Sequence, residues 1–188
     1  IGRLPDEDPS WRQRYRDLFD EAWAVLCEGP HMASSLAALG CDPSKIVVHR
    51  LGVDLGQLPP FQARRVTPDR PLRFLMAGAF REKKGFPDAI DALGLLSRSG
   101  VDLTATLVGD AVPDQRGEKD RILMAIGHNG LGNRIRLAGF LSHKELLDEA
   151  GRHDVFLSPS VLAADGDSEG GAPVAIIEMA AMGMPVVS

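Results

Sequence analysis

Apolar positions along this chain alternate between short runs rich in β-branched residues and longer stretches with helical spacing. From residue 72 onward the short runs predict five strands, at Leu72–Ala77, Leu103–Val108, 134–137, Val155–Leu157 and near Val186. Helical spacing between them predicts four helices, one marked by Phe86, Ala89, Ile90, Leu93 and Leu96, and others at 118–127, after Ser142 and at 174–182. Alternating strands and helices are typical of a parallel sheet covered on both faces. We therefore expect an α/β fold with strands in the order third, second, first, fourth, fifth, and ligands beyond their carboxyl ends.

The opening part of the chain shows a second, shorter α-β-α-β pattern. Helical spacing at 10–22 and 30–39 alternates with strand-like runs at 22–27 and 45–51, and Gly40 is placed to end the second helix. A stretch with weak periodicity follows and carries four prolines, Pro59, Pro60, Pro68 and Pro71. Such a stretch is typical of a linker, so we expect the opening strands to stay apart from the larger sheet.

Composition and charge narrow the class of protein without naming a function. Apolar residues make up 44% and charged residues 25%, an ordinary globular balance, and the net charge of -5 does not favour nucleic-acid binding. Cys27, Cys41 and the five histidines show no metal-ligand spacing, so we expect no metal site. No apolar run is long enough to span a bilayer. Because Ile1 is not a natural start and the chain stops within a strand-like run, we expect a fragment of a longer protein.

Chemically suggestive residues lie at three turns that follow predicted strands. Residues 165–173 combine acidic side chains with Gly170 and Gly171, and they precede a helix that carries Glu178. Bare amides at a helix N-terminus favour a phosphate, whereas a carboxylate one turn later suits sugar hydroxyls. Pro173 is expected at the first helical position, where its missing N–H costs nothing. The combination favours a sugar nucleotide, and a plain acidic turn is the alternative.

The other two turns are Gly78 to Gly85, which contains Lys83 and Lys84, and the short Gly109-Asp110. A lysine just before a helix can supply a compact positive charge to a phosphate, although a solvated charge run is the alternative. Because the carboxyl ends of parallel strands meet at one edge, all three turns are expected to converge there, which favours a nucleotide-diphosphate site.

Several motifs together resemble those of the group 1 retaining glycosyltransferases, glycosyltransferase family four. They are Gly52-Val53-Asp54, Glu82-Lys83-Lys84-Gly85-Phe86, Leu107-Val108-Gly109-Asp110, Glu169-Gly170-Gly171-Ala172-Pro173 with Glu178, and Gly183-Met184-Pro185-Val186-Val187. The resemblance covers nearly the whole chain. It implies the GT-B architecture of two facing Rossmann-like domains. Residues 1–52 would be the end of the acceptor-side domain, 53–71 a linker, and 72–188 a truncated domain that binds the nucleotide sugar.

The resemblance also implies roles for individual residues. Lys84 would hold the donor diphosphate and Glu169 would lie near the sugar hydroxyls, so these two are the expected catalytic residues. Glu178 would bind the ribose. The remaining expected donor contacts are Gly78, Arg81, Gly109, Leu141 beside the base, and the amides of Gly170 and Gly171.

Two departures from the family pattern concern this site. Eight residues separate Glu169 from Glu178, one more than the family usually has. The usual arginine after the first glycine is replaced by Ala79, for which Arg81 is a candidate substitute. We expect that Lys84 and Glu178 both lie outside the core, so that variants of either melt near the parent temperature.

The expected activity is transfer of a sugar from a nucleotide-diphosphate sugar to a carbohydrate or lipid-linked hydroxyl acceptor, with retention, in polysaccharide, lipopolysaccharide or glycolipid synthesis. No cofactor or metal is expected, since Lys84 and helix amides would stabilise the leaving group. The fragment alone is expected to be inactive. The alternatives are a nucleotide-sugar epimerase of the same fold and a non-catalytic nucleotide-sugar binding module. The expected location is the cytoplasm, with peripheral membrane contact through the rest of the acceptor-side domain kept open.

Overall fold

The computed structural model describes residues 8–64, 66–112, 115–169 and 173–188, and these contain two separate parallel sheets. The smaller sheet lies in the opening part of the chain. Its elements are α1 (Ser10–Glu21), β1 (Val25–Cys27), α2 (Pro30–Ala38) and β2 (Ile46–Val48). β1 and β2 pair in parallel with each other, and neither joins the larger sheet, which confirms the predicted separation.

Both opening strands are shorter than predicted. Ala22 does not begin β1 because its amide still donates to the Leu18 carbonyl at the end of α1. Lys45 belongs to a 3-10 turn, Pro43–Lys45, so β2 begins one residue later. Gly40 has a φ of 102° and follows the last turn of α2, as its expected role as a helix stop requires. A small core joins these elements, formed by Phe19, Cys27, Leu36 and Cys41.

The larger sheet has five parallel strands in the order β5-β4-β3-β6-β7, which confirms the order predicted from the alternating pattern. The strands are β3 (Leu72–Ala77), β4 (Leu103–Val108), β5 (Ile135–Gly139), β6 (Val155–Leu157) and β7 (Val186–Val187). The helices between them are α3 (Phe86–Arg98), α4 (Arg116–His128), α5 (His143–Ala150) and α6 (Val174–Ala181). Three strands agree with their predicted bounds, whereas β5 begins and ends slightly later than predicted.

Helices cover both faces of this sheet, because side chains alternate along each strand. In β3, Phe74 and Met76 face a core formed with α3 and α4, whereas Leu75 faces a second core formed with α5 and α6. Leu96 was predicted on the inner face of α3, but it is 39% exposed because it lies near the end of that helix.

The proline-containing segment before β3 packs against the second core instead of standing free. Leu58 contacts that core, and the Gln62 amide donates to the Met182 carbonyl at 3.3 Å. Gly183 is required there, because a Cβ at this position would lie 2.7 Å from the Gln62 carbonyl oxygen. The assignment of residues 1–52 to an acceptor-side domain stays a prediction. None of the described helices combines the length and apolar character that a bilayer span requires.

Candidate functional site

The turns that follow β3 and β4 meet at the carboxyl edge of the larger sheet, as predicted, and the end of β5 contacts them there. The Gly78 amide donates to the Val108 carbonyl at 2.9 Å, and the Gly109 amide donates to the Gly139 carbonyl at 2.8 Å. Gly109 has a φ of 129°, and a Cβ there would lie 1.9 Å from the Gly78 carbonyl oxygen. Only glycine permits so close an approach of two backbones, so Gly109 fixes how the turns after β3 and β4 converge.

The lysine-containing turn is held against the loop that follows β6. Gly85 has a φ of 61°, and a Cβ there would lie 1.8 Å from the Pro159 carbonyl oxygen. The Val161 amide donates to the Lys83 carbonyl at 3.0 Å, which adds a backbone contact between the same two segments. The lysine turn therefore lies beside the acidic loop through backbone packing and does not depend on charge attraction alone.

Lys84 crosses the edge of the sheet and meets Glu169. Its methylene chain lies over Gly78, where a Cβ would stand 3.3 Å from Lys84 Cε. Its Nζ lies 2.8 Å from Glu169 Oε2, and both side chains are largely buried. The two residues expected to be catalytic are thus brought into direct contact across a sequence separation of 85.

Lys83 joins the same cluster from the neighbouring position. Its Nζ lies 3.2 Å from Asp167 Oδ2 and 3.7 Å from Glu169 Oε1. Two ammonium groups therefore face two carboxylates, and Glu169 is shared between both lysines. Such an arrangement can release one lysine to an incoming anion while the other still balances the charge of the acidic loop.

Glu178 lies on α6 and is buried, with 8% of its surface exposed. Its Oε1 lies 2.8 Å from His143 Nε2, at the first position of α5. The expectation that neither Lys84 nor Glu178 belongs to the core is therefore wrong for Glu178, because α6 packs closely on the sheet through its neighbour Met179. The helix begins at Val174, and Pro173 precedes it with an extended ψ of 125° instead of occupying the first helical position.

Other candidate residues also lie at or near this edge. The Arg81 side chain is half-buried and makes no hydrogen bond or ion pair within the described part of the chain, so it remains a candidate for anion binding. Leu141 packs against the second core beside the end of β5. Asp110, beside Gly109, pairs with Lys119 at 2.8 Å, and that hydrogen bond lowers the pKa of its carboxyl. Gly170 and Gly171 lie outside the described residues.

Sequence reasoning missed two members of this site, His143 and Asp167. Asp167 stood inside the acidic loop, but nothing in the sequence singled it out as the partner of Lys83. His143 follows the helix-capping Ser142, a local signal that marks the helix start and gives no hint of a contact with α6. Within the described ranges no group of histidine, cysteine and carboxylate side chains is placed to hold a metal ion.

This doubly wound sheet, with paired lysines and carboxylates at its carboxyl edge, defines the class of open α/β domain in which ligands bind beyond the carboxyl ends of the strands. Residues 60–188 match the family described as "Glycosyl transferases group 1". The chain belongs to the group 1 glycosyl transferases, which confirms the family that the sequence motifs indicated.

The chain is also similar in sequence to curated proteins over most of its length. It is 38% identical over 178 residues to the putative colanic acid biosynthesis glycosyltransferase WcaL of Salmonella typhimurium, covering 93% of this chain and 41% of the relative. It is 38% identical over 182 residues to the amylovoran biosynthesis glycosyltransferase AmsK of Erwinia amylovora, covering 94% of this chain and 42% of that protein. The chain therefore spans about two fifths of the length of these relatives.

The fold is also that of solved glycosyltransferases. Anabaena Alr3699/HepE, determined in complex with UDP, superposes with a TM-score of 0.77 over 96% of this chain and 49% of its own, at 20% identity. At that identity the likeness establishes the fold, and the GT-B class predicted from the motifs is confirmed by it.

Proposed function

We propose that the protein is a glycosyltransferase that moves a sugar from a nucleotide-diphosphate sugar to a hydroxyl acceptor, with retention, in polysaccharide synthesis. The observation that carries the proposal is Lys84, whose ammonium lies at the carboxyl edge of the sheet in contact with Glu169. Family membership supports the transferase activity, and the names of WcaL and AmsK support polysaccharide synthesis. The UDP complex of the Anabaena protein supports a nucleotide-sugar donor.

In the proposed mechanism Lys84 exchanges one anionic partner for another. The donor diphosphate binds the ammonium of Lys84, and the released carboxylate of Glu169 accepts hydrogen bonds from the hydroxyls of the sugar. Lys83 stays near Asp167 and Glu169 and keeps the acidic loop in place. Charge accumulates on the diphosphate as the glycosidic bond breaks, so a fixed ammonium stabilises the transition state more than the bound donor.

The remaining roles follow the same geometry. Glu178 accepts hydrogen bonds from the ribose, and Gly78 and Gly109 let the donor approach the backbone at the turns. Arg81 supplies a second positive charge in place of the arginine replaced by Ala79. We propose that the reaction needs no metal and that the leaving phosphate assists deprotonation of the acceptor, since the described part of the site supplies no candidate for a general base.

Replacing Lys84 by alanine in the intact protein tests this proposal. A charge-assisted hydrogen bond contributes about 1.5–3 kcal/mol, so turnover should fall by about tenfold to about 150-fold. Donor binding should fall less, because the phosphate carries less charge before the bond breaks. Lys144→Ala is a matched control, since Lys144 has a side chain 85% exposed on α5 and pairs with the nearby Asp148.

Assaying a panel of nucleotide sugars with these variants also separates the alternative activities. Transfer to an acceptor supports the proposal, whereas epimerisation of the donor or binding without turnover would assign the chain to one of the alternatives. Equal turnover in the parent and Lys84→Ala would remove Lys84 from the mechanism.

A further inference from the structure

The contact between His143 and Glu178 joins two helices at the candidate donor site. His143 Nε2 lies 2.8 Å from Glu178 Oε1, across a sequence separation of 35. The two side chains differ in exposure, since 54% of the His143 side chain is exposed and only 10% of the Glu178 side chain. The histidine therefore lies at the rim and reaches inward to a carboxylate that is mostly buried.

Local structure fixes the position of the histidine. Ser142 and Glu145 form a capping box: the Ser142 amide donates to Glu145 Oε2 at 2.8 Å, and the Glu145 amide donates to Ser142 Oγ at 3.3 Å. This box defines the start of α5, and Leu147 and Ala150 anchor the same helix in the second core. The carboxylate of Glu145 is occupied by the box and does not compete for His143.

One carboxylate oxygen of Glu178 accepts a hydrogen bond from the protein, and the other is available to a ligand. Oε1 takes the hydrogen bond from His143, the only one that its carboxylate receives from the described residues. Oε2 receives no hydrogen bond from the described residues, and 10% of the Glu178 side chain is exposed. A carboxylate can accept several hydrogen bonds, so Oε2 can serve a ligand while Oε1 stays engaged.

We propose that His143 is a positioning residue that holds Glu178 so that Oε2 faces the ribose hydroxyls of the donor. This inference rests on the proposed function, and it adds a residue that contacts the carboxylate and does not contact the sugar. Both the neutral Nε2–H tautomer and the imidazolium can donate this hydrogen bond, so the role does not require a charged histidine. Fixing the carboxylate before the donor arrives removes the cost of ordering it on binding.

The test compares a nucleoside diphosphate with its 2′,3′-dideoxy analogue, which lacks both ribose hydroxyls. The intact protein is first titrated calorimetrically with UDP, GDP, ADP and CDP, and the dideoxy analogue of the one that binds best is then used. His143→Ala should weaken the ribonucleotide by about tenfold and leave the dideoxy analogue unchanged, because only the ribonucleotide uses Glu178. His143→Gln should restore most of the loss, since its amide N–H is placed similarly to Nε2.

Kinetics and controls complete the design. The KM for the nucleotide sugar should rise in His143→Ala while kcat changes little, and Lys144→Ala, one residue along the same helix, should behave like the parent. An equal loss for the ribonucleotide and its dideoxy analogue would reduce His143 to a structural residue and overturn the inference. If His143→Ala still preferred the ribonucleotide over the dideoxy analogue by the same factor as the parent, the inference would also be overturned, although the proposed function would stand. If the parent binds none of the nucleotides, the proposed function fails and this inference fails with it.

Discussion

Replacing Asp154 by asparagine should destabilise the larger sheet from the edge opposite the candidate site. Asp154 lies just before β6, and its side chain is 2% exposed. It accepts hydrogen bonds from Arg70 Nη1 and Nη2 at 2.7 and 2.8 Å. Three more donors come from Arg73, namely the amide at 2.9 Å, Nε at 3.2 Å and Nη2 at 3.1 Å. The substitution keeps the shape of the side chain but removes its charge and turns one acceptor into a donor that faces guanidinium groups.

The size of the effect follows from burial and partner geometry. Breaking a fully buried ion pair costs about 3–5 kcal/mol, and one hydrogen bond to a charged group contributes about 1.5–3 kcal/mol. Because the two arginine side chains are 31% and 39% exposed and can turn to water, we expect a loss of about 2–3 kcal/mol in the free energy of unfolding. For a unit of this size that loss corresponds to a decrease in Tm of about 4–12 °C.

The pH dependence provides a second signature of the same group. Burial alone would raise the pKa of Asp154, but hydrogen bonds from Arg70 and Arg73 outweigh it and hold that pKa well below the ordinary 3.8. A carboxyl whose pKa is lower in the folded state stabilises the protein above its unfolded pKa and loses that contribution as the pH falls. The stability difference between parent and Asp154→Asn should therefore be constant above about pH 5 and narrow below about pH 4.

Denaturant unfolding across this pH range measures both effects. Asp148→Asn is the matched control, because Asp148 is 51% exposed, pairs with Lys144 four residues earlier, and should change stability little. Donor binding should survive in Asp154→Asn, since the substitution lies at the amino ends of β3 and β6. The reasoning is refuted if both asparagine variants unfold alike, or if the difference between parent and Asp154→Asn does not depend on pH.

Two further substitutions test a turn of the site and the start of α5. Gly109→Ala should destabilise the protein and weaken donor binding, because its Cβ would lie 1.9 Å from the Gly78 carbonyl oxygen. By contrast, the Cβ of Gly127→Ala in α4 would meet no atom within 4 Å, so this variant should be neutral or stabilising by up to about 1 kcal/mol. A Gly109→Ala variant with parent-like melting and binding would contradict the proposed close approach of the two turns. Ser142→Ala removes one half of the capping box and should lower the free energy of unfolding by about 1 kcal/mol, measured by denaturant unfolding; no change would mean that the box does not determine the start of α5.

Features that depend on neighbours along the chain could be predicted from the sequence. The alternation of apolar runs gave the strand order of the larger sheet, because parallel connections allow few topologies. Ser142 and Glu145 predicted a capping box that the structure contains, since both partners lie within one helical turn. The convergence of the turns after β3 and β4 followed from strand direction alone. The family motifs predicted donor contacts for Lys84, Glu169 and Glu178 without indicating which side chains of the protein itself each would contact.

The contacts themselves were decided by tertiary structure. Lys84 meets Glu169 across 85 positions, Arg70 meets Asp154 across 84, and His143 meets Glu178 across 35. Each contact depends on which strands are neighbours, on their register, and on how far a helix is rotated against the sheet. A surface charge and a buried one look alike in sequence, so the burial of Glu178 could not be read from its helix. The packing of α6 on the second core determines it, because buried apolar side chains such as Met179 fix how far the helix is rotated against the sheet.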